Sequence, residues 1–180
     1  DDIRADAGVA HASARIYAPV LAALTRDGFM GMAVGVDPSA ESHAEGLLPG
    51  GAGDALTGGR ALVGRGFARS HGIAPGDTLA LVGQDVYGSI ASGLFSVADS
   101  VASPVALVNG HGVVMSLASA REFLAMGPEA HEIIVHVRDV DAVDEVVDRL
   151  SGLPSLSDCE VLSWREVVPQ LVAMAEIMDG

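Results

Sequence analysis

The residues best suited to chemistry are His131-Glu132-Ile133-Ile134-Val135-His136, two imidazoles with a carboxylate between them. Two histidines one helical turn apart can hold zinc while the glutamate activates water, but that needs H-E-x-x-H on a helix. Here the spacing is one residue longer, and Ile133, Val135 and Val137 alternate with their neighbours as in a strand. Positions five apart on a strand point to opposite faces, so His131 and His136 are not expected to share a metal. Gly64-Arg65-Gly66-Phe67-Ala68-Arg69 has the start of a dinucleotide fingerprint, with Asp85 downstream. Its preceding extended run, Ala61-Leu62-Val63, is read as too short for a central parallel strand, and Arg69 stands where a small residue should pack. Ser70-His71 and the serines Ser89, Ser92 and Ser96 lack a nucleophile elbow. Carboxylates are plentiful, but none forms an apolar-flanked pair that would raise one pKa. His11, His43, His71 and His111 fall in expected loops and ends. Cys159 reads as a buried small hydrophobe, with no cationic neighbour to make it nucleophilic. Met30, Met32, Met115, Met126, Met174 and Met178 read as core filler. No catalytic, cofactor-binding or metal-binding residue is therefore expected.

Composition narrows the function classes. The chain has 180 residues, enough for one domain or two small lobes around a shared core. A net charge of −14 argues against a nucleic-acid partner, which needs clustered cations, and against electrostatic attraction to anionic lipid. All ten cations are arginines. Without lysine there is no P-loop and no Schiff base, so any ATP hydrolysis serving this chain takes place on another polypeptide. One cysteine excludes an internal disulfide. No apolar run reaches the length of a membrane span. The start at Asp1-Asp2 without methionine reads as a piece of a longer chain.

The elements that would carry these residues follow from periodicity and punctuation. Asp1 to His11 is a polar, helical or frayed lead-in. Ala14–Leu24 and Phe29–Val36 form a strand pair turned at Asp27-Gly28. Ser39–Gly46 offers about two helical turns, and the glycine-rich stretch Leu48–Gly59 reads as a hinge. Arg60–Gly83 gives a short extended run, a helix ending at Gly72, a turn at Pro75-Gly76-Asp77 and the strand Thr78–Val82. After a turn at 83–88, Gly93–Val97 is a strand and Val101–Gly112 a loop punctuated by Pro104 and Asn109-Gly110. Val113–Met115 is a strand, Leu117–Met126 a helix stopped by Gly127-Pro128, and Ile133–Val137 a strand. Val140, Val143, Val147 and Leu150, with Val146 beside them, mark one face of a helix whose other face is acidic, with Glu145 and Arg149 paired at four residues. Glu160-Val161-Leu162 is a last strand. Ser163-Trp164-Arg165-Glu166 is a capping box opening a helix with Val167, Val168, Leu171, Ala175 and Met178 on its apolar face, bent at Pro169. The fold class is α+β, with helices on one face of a small sheet.

Three segments carry a family resemblance. Residues 60–83 are similar to the "GxxLAxxLGLxxGDxLxL" stretch of MacB-like extracytoplasmic domains in ABC-transporter permeases of the FtsX and lipoprotein-release type. Gly112-Val113-Val114-Met115-Ser116-Leu117-Ala118-Ser119-Ala120 resembles their strand followed by a small-residue helix start. Val161-Leu162-Ser163-Trp164-Arg165-Glu166 resembles their "VxSWRE" approach to the second membrane span. The chain departs at Ala98-Asp99-Ser100, where the family continues an apolar strand. The resemblance implies two lobes, a strand–helix–strand porter-like lobe at 1–46 and 111–180 and an inserted, strand-rich sabre-like lobe at 47–110. It implies a periplasmic place between two membrane helices and no enzymatic activity. The implied partners are a cytoplasmic ATPase subunit, a second permease copy in a homo- or heterodimer, and a periplasmic acceptor or chaperone. The role implied is to transmit ATP-driven motion to export or transfer of a lipoprotein, lipid or peptide, with Trp164–Met178 as a stiff rod. The alternatives are a free-standing ligand-binding domain or enzyme, and a scaffold that activates cell-wall hydrolases.

Overall fold

A computed structural model describes residues 2–43, 46–48 and 52–167. The chain is α+β and forms two compact units, Ser13–Ile134 and Asp1–Ala12 with Val135–Gly180. Among the described residues no helix is long and apolar enough to cross a membrane.

The larger unit holds most of β1 (Val9–Leu24), then β2 (Asp27–Val36), β3 (Arg60–Gly64), β4 (Thr78–Gln84), β5 (Ile90–Val101), β6 (Gly112–Ser116) and the start of β7 (Glu132–Val137). Six of these strands pair in a closed circuit. β1 lies antiparallel to β2, β2 parallel to β6, β6 antiparallel to β3, β3 parallel to β5, β5 antiparallel to β4, and β4 antiparallel to β1. Strands from 47–110 thus alternate with no break into strands from either side of that segment. Alternation along each strand feeds two apolar clusters. Ile16, Val20, Val63, Leu79, Leu81, Phe95, Val113 and Met115 build the larger one, against which the helices α3 (Arg65–His71) and α5 (Leu117–Leu124) pack through Phe67, Ala120 and Leu124. Val34, Val36, Leu62, Val101 and Val114 build the second, closed by Leu47, Leu48 and Leu56 and by Val108 of α4 (Ala106–His111).

Several sequence expectations change here for definite reasons. The hairpin turn is Thr25-Arg26, with Leu24 opposite Asp27, so Asp27-Gly28 lies in the ladder. Thr25 takes a φ of 57°, a left-handed conformation imposed by a register that cross-strand packing fixes more strongly than turn preference. β3 is a central strand: Ala61 and Val63 are buried in one cluster and Leu62 in the other, so it reads as a continuous apolar run rather than an alternating one. Within the stretch at 48–59, Leu48 and Leu56 are buried in the second cluster. Asn109-Gly110 sits inside α4, held helical by burial of Val108. β5 runs through Ala98-Asp99-Ser100, with a bulge that opposes Ala61-Leu62 to Val97 and Asp99. Ahead of Ala52, α2 (Pro38–Glu41) is one turn, capped by the Asp37 carboxylate on the Ser39 and Ala40 N–H groups.

The smaller unit contains α1 (Asp2–Ala5), the first residues of β1, the last of β7, α6 (Val143–Ser151) and α7 (Trp164–Val167). Val9, Ala12, Val146 and Leu150 form its core. Val146 rather than Val147 is buried, and Val140 is exposed. Arg149 grips Asp6 with two hydrogen bonds, 2.8 and 2.9 Å, and Glu145, its partner expected from helical spacing, acts on it through charge. The Arg149 hydrogen bond and that of the Gly8 N–H lower the Asp6 pKa to about 2. Glu160-Val161-Leu162 forms no strand. It is confined between the turn closed by the Cys159 N–H on the Leu156 carbonyl and the cap at Ser163, and Val161 packs by its side chain alone.

Candidate functional site

The expected chemistry does not assemble. In the larger unit the His131 Nδ1 accepts the Tyr17 N–H at 2.9 Å, and the His131 N–H donates to the Arg15 carbonyl. In the smaller unit the His136 ring meets His11 edge-on at 6.5 Å. Each imidazole is committed to different neighbours. Among the described residues no three or more metal-ligating side chains converge. The Cys159 side chain is exposed, contrary to its reading as a buried hydrophobe. Met30 is exposed as well, while Met115 is buried. Residues 168–180, with Met174 and Met178, lie outside the described residues.

Gly64 and Gly66 have a steric explanation. A Cβ on Gly64 would collide with the Val108 carbonyl oxygen and lie 2.5 Å from that of Asn109; on Gly66 it would stand 3.0 Å from the Asn109 oxygen. The glycines let α3 and α4 approach closely, and α4 presents carbonyl oxygens there. An acceptor-lined contact is unsuited to a phosphate, which needs donors. His71 is exposed at the end of α3, where its ring stacks on Phe29 at 4.0 Å between ring centres, with Phe67 edge-on to it at 4.8 Å.

The polar centre of the larger unit is a set of residues that pattern reading passed over. Glu41 is fully buried and Arg15 is 7% exposed. The Arg15 Nε donates to Glu41 Oε1 at 2.6 Å and its Nη2 to Oε2 at 3.0 Å, and the Leu47 N–H donates to Oε2 at 2.8 Å. Burial pushes Glu41 up, but the hydrogen bonds from Arg15 and then Leu47 outweigh it and its pKa lies below the ordinary value. Next along β1, the Tyr17 hydroxyl donates to Glu132 at 2.7 Å. Burial first, and that bond second, push Tyr17 up to about 12. Arg15 and Glu41 hold each other bidentately, and the Leu47 N–H adds a third bond to the carboxylate. The pair is a clamp tying α2 and the buried Leu47-Leu48 to β1. One signal was available: Arg15 is the only formal charge between Asp6 and Arg26. A lone charge inside an apolar strand needs a buried counter-ion.

Two terminal features complete the description. The turn at 85–89 is built on Asp85, whose carboxylate accepts the Tyr87 and Ser89 N–H groups and leaves the Val86 and Tyr87 side chains exposed. At the start of α7, Glu166 accepts the Ser163 N–H at 2.8 Å and the Ser163 hydroxyl at 3.0 Å. The backbone bond, then the hydroxyl bond, hold its pKa below the ordinary value. Arg165 bonds Asp144 at 2.9 Å and lies over the Trp164 ring. The helix expected to continue past Val167 lies outside the described residues.

No family model matches the chain, and a search of curated proteins finds no match. Solved structures do. The periplasmic region of MacB from Actinobacillus actinomycetemcomitans superposes with a TM-score of 0.60 at 10% identity, over 96% of this chain and 79% of that one. The extracellular domain of the noncanonic ABC-type transporter YknZ, from Gram-positive bacteria, superposes with a TM-score of 0.55 at 10% identity, over 81% of this chain and 74% of that one. The chain has the fold of these transporter domains, which is the fold that the sequence resemblance implied.

Proposed function

We propose that this chain is the extracytoplasmic domain of an ABC-transporter permease, and that its work is mechanical. The observation that carries this reading is the fold likeness to the MacB periplasmic region over nearly the whole chain. Three further facts support it. No lysine is present to serve a P-loop, so the energy source sits on another subunit. The buried ion pair spends its hydrogen bonds on the fold itself. The helix start at Ser163 is capped by Glu166, as suits a connection that carries force.

In this reading, ATP hydrolysed on a cytoplasmic subunit moves the membrane helices, and the domains of two permease copies shift against each other. That motion expels a lipoprotein, lipid or peptide or hands it to an extracytoplasmic acceptor. Residues 47–110 are the proposed sabre-like part, with Val86 and Tyr87 at its hairpin tip, and 1–46 with 111–180 the porter-like part. No step needs a catalytic side chain, a metal or an organic cofactor in this domain.

The encoding gene tests the reading. Apolar segments of about 20 residues on both sides of this sequence are expected, the length that spans a bilayer as helix. A gene product that begins and ends where this chain does, with no such segment, contradicts it.

A further inference from the structure

We infer that the exposed face of α3 and α4 is a docking surface for an acidic, partly apolar protein segment, whose carboxylates pair with Arg65 and Arg69 and whose apolar side chains cover Leu107. The chain has a net charge of −14, yet no Asp or Glu lies between Asp54 and Asp77 or between Asp99 and Glu122. α3 comes from the first of these stretches and α4 from the second, and the two helices pack against each other. Phe67 and Ala68 turn α3 to the core, so Arg65 and Arg69, one helical turn apart, stand together on its exposed side. Arg65 lies between Gly64 and Gly66, the two glycines packed on the Asn109 carbonyl of α4. On α4, Val108 is buried, while Leu107 and the preceding Val105 are 47% and 40% exposed.

Two observations choose the occupant. The first is unmet charge. Arg4, Arg15, Arg121, Arg138, Arg149 and Arg165 each donate to a carbonyl or a carboxylate of this chain. Arg65 and Arg69 have no such partner among the described residues. A guanidinium is a planar fork that fits a carboxylate with two parallel bonds. The other titratable side chains of the two helices are His71 and His111, and the acid that follows α3, Asp77, holds its carboxylate on the Ala74 N–H. The second is extent. An anionic bilayer is a plane, and it would also meet the acidic remainder of the molecule within the screening length of about 8 Å at physiological salt. A short segment covers the cationic face alone. Val105 and Leu107 beside the arginines call for apolar side chains in that segment, which a small inorganic anion lacks. The face is read from this chain alone, so the inference stands apart from the transporter reading.

Fluorescence anisotropy of a short fluorescein-labelled peptide of Glu-Glu-Leu-Leu repeats, titrated with the 180-residue chain, tests it. The expected result is saturable binding that weakens with added salt and is lost when Gln replaces Glu in the peptide. Arg65→Gln and Arg69→Gln should each weaken binding about threefold to fivefold, and together about tenfold. Leu107→Ser should weaken it about threefold by removing apolar contact. Leu94→Glu, at an exposed position of β5, changes the net charge by the same single unit as either arginine variant and should leave binding unchanged. All four positions are exposed, so an unaltered thermal melt checks that each variant folds. Failure of the peptide to bind, a double arginine variant that binds like the wild type, or a loss in Leu94→Glu equal to that in Arg69→Gln overturns the inference. Retention on phosphatidylglycerol vesicles without binding of the peptide overturns it too, and would make the partner a bilayer.

Discussion

Glu41→Ala should destabilise the larger unit by about 3–5 kcal/mol, because it strands the Arg15 guanidinium in an apolar surrounding. It also removes the acceptor of the Leu47 N–H, and with it the anchor of the buried Leu47-Leu48. Urea unfolding would show a lower midpoint with an unchanged slope. The double replacement Arg15→Met, Glu41→Leu should recover most of the loss, since desolvating two charges offsets much of their attraction. If the single and double variants are equally destabilised, the clamp contributes through specific geometry that apolar packing cannot replace. The pH dependence has a fixed sign. The folded pKa of Glu41 is depressed, so its contribution is complete above the unfolded carboxylate value and is lost as pH falls through the lower folded one. The difference between the wild-type chain and Glu41→Ala should therefore narrow under acid conditions.

Gly64→Ala is the second large effect, expected at about 3 kcal/mol. The added methyl meets the Val108 and Asn109 carbonyl oxygens, which are backbone and cannot rotate away, so α4 has to move. Val108 is fully buried, and its displacement would loosen the second apolar cluster. Gly110→Ala on the same helix is the control. Nothing lies within 4 Å of its would-be Cβ, so it should stabilise by about 0.5 kcal/mol through helix propensity. Thermal unfolding of the pair separates the two readings of the glycine motif. A phosphate-binding loop would predict a Gly64→Ala variant that keeps its stability and loses only a ligand.

Local chemistry explains what could be read from the sequence. The segment at 60–83 was legible because each boundary has its own residue: Gly72 at a φ of 65° closes α3, and Gly76 at 93° makes the turn into β4. The helix expected over Leu117–Met126 starts as expected, with Ser116 as its cap, but stops two residues early, where Ala125 takes a left-handed φ of 53°. The capping box at Ser163 and Glu166 is half as expected: the carboxylate takes the Ser163 N–H, and the hydroxyl turns to that carboxylate. What escaped notice depends on residues far apart in the chain. The circuit of strands joins β1 to β4 and β3 to β5, and no turn signal encodes such pairings. The hairpin turn went to Thr25-Arg26 because core register outranked a favourable dipeptide. The Arg15–Glu41 clamp spans 26 positions between residues unremarkable in their own windows. The fork from Arg149 to Asp6 spans 143 positions, which no helical spacing encodes.

The side of the membrane on which this domain works can be measured with a residue already in place. Cys159 is the sole cysteine of the chain and is exposed. In the full-length protein, a membrane-impermeant maleimide applied to intact spheroplasts should label Cys159, and the label should vanish in Cys159→Ser. Labelling of Cys159 only after the membrane is broken would place the domain in the cytoplasm and contradict the account.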